Sequence, residues 1–217
     1  MSNEQPISIL IIDDHPLFRK GLADLIGMDS SLRLIAEASS GEEGLTKAQA
    51  LRPELILLDL NMKGMDGLET LKLLKQTDLE SYVVMLTVSD NESDVTDALR
   101  LGADGYLLKD MEPESVLEHI QIAASGRLSI TESLTELLAR ALRDDGRPKT
   151  PNEAGLTNRE EEILSLIATG MSNKQIAREL DITEGTIKVH VKHLLKKLNL
   201  RTRLEAAVWC TKNSPVS

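Results

Sequence analysis

Ile7-Ser-Ile-Leu-Ile-Ile-Asp-Asp-His-Pro16 is the stretch on which the reading of the chain turns. Its apolar run, Ile7 to Ile12, has almost no polar alternation, the pattern of a strand covered on both faces. Two aspartates end the run, and Pro16 suits the first turn of a helix. Four further apolar runs follow, at 32–38, 55–60, 82–88 and 105–108. Helical patterns with start signals lie between them. Ser40-Gly-Glu-Glu43 has capping-box form, Asp66-Gly-Leu-Glu69 resembles one with aspartate as the cap, and Pro113 opens the last helix of this half. Strand–helix alternation five times over predicts an α/β domain with a doubly wound, five-stranded parallel sheet and right-handed crossovers.

The whole chain has 217 residues, room for two domains. Its formal charge of −10 is unevenly spread. Residues 1–128 carry 23 acidic and 11 basic side chains, whereas residues 155–217 carry 7 and 10. Within 184–203 one acid faces six bases. Such asymmetry fits two domains with different partners, the basic one meeting either a polyanion or only solvent. Between them, residues 129–154 read as a linker: an amphipathic helix at 131–143, then the Pro/Gly/polar stretch DDGRPKTPNEAG. The remainder, 155–217, reads as four short helices with cap-like starts at Thr157, Ser172, Thr183 and Thr202, and Gly170 as a stop. The single cysteine, Cys210, excludes an internal disulfide framework and suits a reducing cytoplasm. No run approaches the length of a membrane span. The few aromatics, Phe18, Tyr82, Tyr106 and Trp209, argue against a stacking platform for single strands.

The polar residues that end the predicted strands are Asp13 and Asp14, Asp59, Thr87 and Lys109. In an open sheet of order 2-1-3-4-5, strands one and three flank the switch point, and the carboxyl ends form the ligand crevice. Three aspartates would then converge, with threonine and lysine beside them. Clustered carboxylates repel, and a hard divalent cation such as Mg²⁺ removes that conflict while bridging to phosphate. The set suits in-line phosphoryl transfer, with Asp59 as the natural nucleophile. Taken singly, each residue reads as a loop residue or helix cap; the coincidence of all five favours a site.

In the basic region, Ile187, Val191, Leu194, Leu195 and Leu198 form one helical stripe over 184–198. Gly185, Val189, Lys192 and Lys196 lie roughly opposite, with Lys188 on the flank. SNKQIAREL, the turn residues DIT and EGTIKVHVKHLLKKL together have helix-turn-helix form, with the second helix in the major groove.

The strings IIDDHP, LLDLNM, GMDG and GADGYLLKD resemble the receiver domains of bacterial two-component response regulators. LTNREEEIL and the helix-turn-helix strings resemble LuxR-type DNA-binding domains, so the whole is similar to the NarL/FixJ class, and in wording to its nitrate/nitrite-responding members. The resemblance implies an α/β receiver joined to an all-α four-helix domain, in a regulator that accepts and slowly hydrolyses a phosphoryl group. It implies Asp59 as phosphoacceptor, and Asp13, Asp14, Asp59 and the Asn61 carbonyl around Mg²⁺. Thr87 and Lys109 would grip the phosphoryl group, Thr87 and Tyr106 would form the switch, and Ser89 would help set the phosphoryl lifetime. Lys188, Val189 and Lys192 would read bases, while Lys174, Lys196, Lys197, Arg201 and Arg203 would meet phosphates. Leu204, Ala207 and Val208 would pair two copies on an inverted repeat. The partners implied are a sensor histidine kinase, promoter DNA, a second copy and RNA polymerase. Lys63 departs from the proline usual there. It gives some support to the alternative of a constitutive regulator with an inert receiver; a metal-dependent phosphatase is a second alternative.

Overall fold

The computed structural model describes residues 6–88, 92–124 and 150–213. The chain divides into two compact units, Met1–Ser125 and Gly126–Ser217. The first alternates β1 (Ile7–Ile12), α1 (Pro16–Gly27), β2 (Leu32–Ala38), α2 (Gly41–Leu51), β3 (Leu55–Asp59), α3 (Gly67–Gln76), β4 (Tyr82–Thr87), α4 (Glu92–Leu101), β5 (Gly105–Leu108) and α5 (Pro113–Ala124). The sheet runs β2-β1-β3-β4-β5, all parallel, as the sequence predicts.

Residues 9–12 and 55–58 are fully buried because helices cover both faces. Ile9, Ile11, Leu55, Leu57, Val84, Leu86 and Leu107 pack with Leu22 and Ile26 of α1 and with Val116 and Ile120 of α5. Ile12, from the alternate set, lies against Gly44 of α2, where a Cβ would come within 2.5 Å of it. Ser40 and Asp66 cap α2 and α3 by accepting the N–H of Glu43 and Glu69. Glu43 does not complete a reciprocal box; its carboxylate takes the Ser39 N–H and Oγ and the Lys47 Nζ instead.

The second unit contains α6 (Pro151–Ala154), α7 (Asn158–Ala168), α8 (Asn173–Glu179), α9 (Glu184–Lys197) and α10 (Arg203–Asn213). Its core gathers Ile163, Ile167, Ile176, Ile187, Leu194 and Trp209. Thr157 and Ser172 form complete capping boxes with Glu160 and Gln175. Four stops share one device: Gly155, Gly170, Asp181 and Asn199 take positive φ, and the next N–H reaches back five residues, as from Ile182 to Ala177 O. One expectation is corrected here. Residues 151–154, assigned to an aperiodic linker, form a helical turn, because Thr150 caps the Glu153 N–H and Pro151 takes the first helical position. The helix expected at 131–143, the rest of the linker to 149, and Ser89 lie outside the described residues. No described helix is long and apolar enough to cross a membrane.

Candidate functional site

Parallel pairing sets Ile12 beside Leu58, and Thr87 beside Leu108. The residues just past these pairs therefore meet at one edge of the sheet. Asp13, Asp59 and Thr87 are at most 1% exposed, although each is polar. Lys109 Nζ, from just after β5, reaches the two carboxylates, 2.8 Å from Asp13 Oδ2 and 2.9 Å from Asp59 Oδ2. It also lies 4.7 Å from the centre of the Phe18 ring, whose π-face favours a cation. Asp59 Oδ1 accepts the Asn61 N–H at 3.2 Å, which folds the loop after β3 back over the carboxylate. Gly67 closes that loop. A Cβ there would lie 2.3 Å from the Asp59 carbonyl oxygen, so only glycine permits α3 to start so near the end of β3.

Asp14 is less enclosed. Its Oδ2 accepts the Lys63 N–H at 3.0 Å, a bond that proline could not donate. Lys63 thus departs from the receiver pattern in its main chain as well as its side chain. Asp14 does not cap α1: the N-cap is His15, whose side chain makes no capping bond. The His15 ring turns to the pocket instead, with Nδ1 2.9 Å from Asp14 Oδ1. Sequence reasoning missed this residue, and its only signal was its place directly after the paired aspartates. Asp13, Asp14, His15 and Asp59 can bring one ligand atom each within 4.8 Å of one another. Tyr106 is buried at 7% exposure in the neighbouring strand.

In the second unit, the exposed face of α9 carries Lys188, Lys192 and Lys196. Val189 is 53% exposed among them. Lys188 Nζ is 4.0 Å from Glu184 Oε1. Lys174 and Arg201 are also exposed. Two expected phosphate contacts are placed otherwise. Arg203 is 6% exposed, and its guanidinium donates to Asn173 Oδ1 and to the Met171 carbonyl, so it braces α10 against the start of α8. Lys197 Nζ donates to Glu160 Oε2 at 2.6 Å and to the Gly155 carbonyl at 2.9 Å, two of its three donors. Leu204, Ala207 and Val208 are buried in the single chain and offer a second copy no exposed face.

This geometry defines a class, and the comparisons agree with it. The model of the response regulator receiver domain matches residues 9–121, and that of the luxR family of bacterial regulatory proteins matches 154–210. The chain belongs to the two-component response regulators that carry a LuxR-type DNA-binding domain. Within that class it is 53% identical over 209 residues to the nitrate/nitrite response regulator protein NarL of Escherichia coli strain K12, covering 96% of this chain and 97% of the relative. It is 44% identical to the nitrate/nitrite response regulator protein homolog of Haemophilus influenzae, covering 94% and 96%. Among solved structures, the signal receiver domain of NarL from Mycobacterium tuberculosis superposes with a TM-score of 0.55 at 31% identity, over 57% of this chain and all of that one.

Proposed function

We propose that a sensor histidine kinase phosphorylates Asp59 and that this phosphorylation governs promoter binding through α9. The observation that carries the reading is the buried Lys109 Nζ held between the Asp59 and Asp13 carboxylates. An Asp59 carboxylate oxygen attacks the phosphorus of a phosphohistidine. The P–O bond forms as the P–N bond breaks, and the departing imidazole keeps the electron pair and takes up a proton. Lys109 neutralises charge on the phosphoryl oxygens, and the buried Thr87 hydroxyl hydrogen-bonds one of them. Asp13, Asp14, Asp59 and the Asn61 carbonyl fit Mg²⁺. The set is all oxygen, one ammonium, Lys109 Nζ, faces three carboxylates, and Asp14 Oδ1 is buried without a hydrogen-bond partner. Bound there, Mg²⁺ supplies the positive charge that lets three carboxylates and a phosphoryl group share one pocket.

Thr87 moves toward the phosphoryl group, Tyr106 follows, and the change releases α9 for DNA. Lys188, Val189 and Lys192 meet base edges, Val189 through a thymine methyl. Lys174, Lys196 and Arg201 meet phosphates. Two copies pair through Leu204, Ala207 and Val208 on an inverted repeat once those residues are uncovered, and RNA polymerase is the partner at the promoter. The regulator slowly hydrolyses its own phosphoryl group and turns over no other substrate, within the cytoplasm. By likeness to its nitrate/nitrite relatives, nitrate or nitrite is the signal its kinase reads.

The test is mass spectrometry after Mg²⁺ and acetyl phosphate, beside a DNA-binding titration. One phosphoryl group per chain, mapped to Asp59 and absent from Asp59→Asn, with tighter operator binding, is expected. Equal DNA affinity with and without phosphodonor overturns the coupling, and is the result that a constitutive regulator would give. Multiple turnover of phosphorylated small molecules would point to a phosphatase instead.

A further inference from the structure

We infer that His15 is a fourth ligand of the acidic pocket, so that the pocket takes an imidazole-accepting transition dication as well as Mg²⁺. The inference rests on the proposed reading of the pocket as a divalent-cation site. His15 Nδ1 lies 3.4 Å from Asp13 Oδ1, 2.9 Å from Asp14 Oδ1 and 3.5 Å from Asp59 Oδ2. Neighbouring ligands on an octahedral ion with bonds of about 2.1 Å stand about 3.0 Å apart, and these separations lie close to that edge.

The ring is not placed as a hydrogen-bond donor. Asp14 Oδ1 stays without a hydrogen-bond partner even at 2.9 Å from the ring nitrogen, and the atom is buried. A nitrogen at ligand-edge distance from three carboxylates, yet not aligned as a donor on Asp14 Oδ1, is placed to share an ion with them. Nor does the fold use the ring elsewhere. The residue caps α1 without its side chain, and its main-chain N–H already serves Asp13 Oδ1 at 2.7 Å. The side chain is 64% exposed, so the ring lies at the pocket mouth and an ion can enter past it.

Charge agrees. Three carboxylates and the Lys109 ammonium leave two negative charges, which one dication balances. Oxygen ligands alone suit Mg²⁺, whereas an imidazole among them favours cobalt, nickel or zinc. A cytosolic transition dication would therefore compete for the pocket on which phosphoryl transfer depends.

The experiment uses the full chain with Co²⁺ as the probe. Proton NMR of the Co²⁺-loaded protein is expected to show a strongly shifted, exchangeable imidazole N–H resonance. Excess Mg²⁺ should remove it, and it should be absent from His15→Ala. Calorimetry should show Co²⁺ affinity reduced by about tenfold to a hundredfold in His15→Ala, with Mg²⁺ affinity unchanged within about twofold. Co²⁺ that Mg²⁺ displaces but that gives no such resonance, or His15→Ala with undiminished Co²⁺ affinity, overturns the role of His15 and leaves the carboxylate pocket standing. Co²⁺ that neither Mg²⁺ nor Asp13→Asn displaces, a sign of binding at the other histidines, overturns both this inference and the reading beneath it.

Discussion

Glu160→Gln tests how the DNA-binding unit is held together. Glu160 is 4% exposed. Its Oε2 accepts from the Thr157 N–H at 2.8 Å, the Thr157 hydroxyl at 3.0 Å and Lys197 Nζ at 2.6 Å. Burial pulls its carboxyl up, but the Lys197 ammonium and the two Thr157 donors pull it down by more, so it stays below its usual 4.5. Glutamine keeps a carbonyl for the cap and loses the charge. Hydrogen bonds to charged groups contribute about 1.5–3 kcal/mol. The Lys197 side chain is 35% exposed, so solvent trims its share. We expect a loss of about 1–2 kcal/mol, or roughly 4–16 °C in Tm for a unit of this size. A carboxyl with a lowered folded pKa contributes stability above the unfolded value, and that contribution fades as pH falls through the folded one. The gap between wild type and variant is therefore full at neutral pH and closes in acid. Trp209, the chain's one tryptophan, sits in the core of this unit, so its fluorescence during urea unfolding reports this unit. Equal midpoints at neutral pH, or a gap that persists undiminished at about pH 3, would refute the argument.

Four other positions carry expected outcomes. Lys63→Ala keeps the N–H on Asp14 and leaves Mg²⁺ affinity within about twofold, whereas Lys63→Pro removes a competitor for that carboxylate and tightens Mg²⁺ binding about fivefold by calorimetry. Gly67→Ala drives a Cβ into the Asp59 and Leu60 backbone, costs about 1–3 kcal/mol in thermal unfolding, and slows labelling of Asp59 by acetyl phosphate. Lys192→Ala lowers the slope of log affinity against log salt by about 0.9 in operator-binding anisotropy with stability unchanged. Lys197→Ala leaves that slope unchanged and lowers stability, because its ammonium is held by Glu160 and Gly155.

The parts of the fold that were legible in the sequence are local or periodic. The apolar runs marked all five strands within a residue or two at their ends, since a strand covered on both faces has no polar alternation to hide it. Cap residues marked helix starts because a side chain and an N–H three residues on decide them. The pocket was legible for a different reason: strand ends converge once the order is known. What the sequence did not disclose depends on pairs far apart or on direction. Glu160 and Lys197 meet across 37 positions. The basic character of Arg203 says nothing of its turn inward to Asn173. His15 offers no signal beyond its place after the paired aspartates until its ring is seen to face three carboxylates. Thr150 and Pro151 carried a start signal that the surrounding Pro/Gly composition obscured.

The strand segments 9–12 and 55–58 that deliver Asp13 and Asp59 are fully buried between two helical layers, whereas Asn61, Lys63 and Gly64 just beyond β3 are exposed. Amides of β1 and β3 should exchange with deuterium only when the unit opens globally, and those of the loop after Asp59 far sooner. The frame that holds the carboxylates and the loop that covers them are thus separate pieces of chain. Substitutions in the exposed loop, such as lysine at position 63, therefore leave the buried frame that holds the carboxylates unchanged.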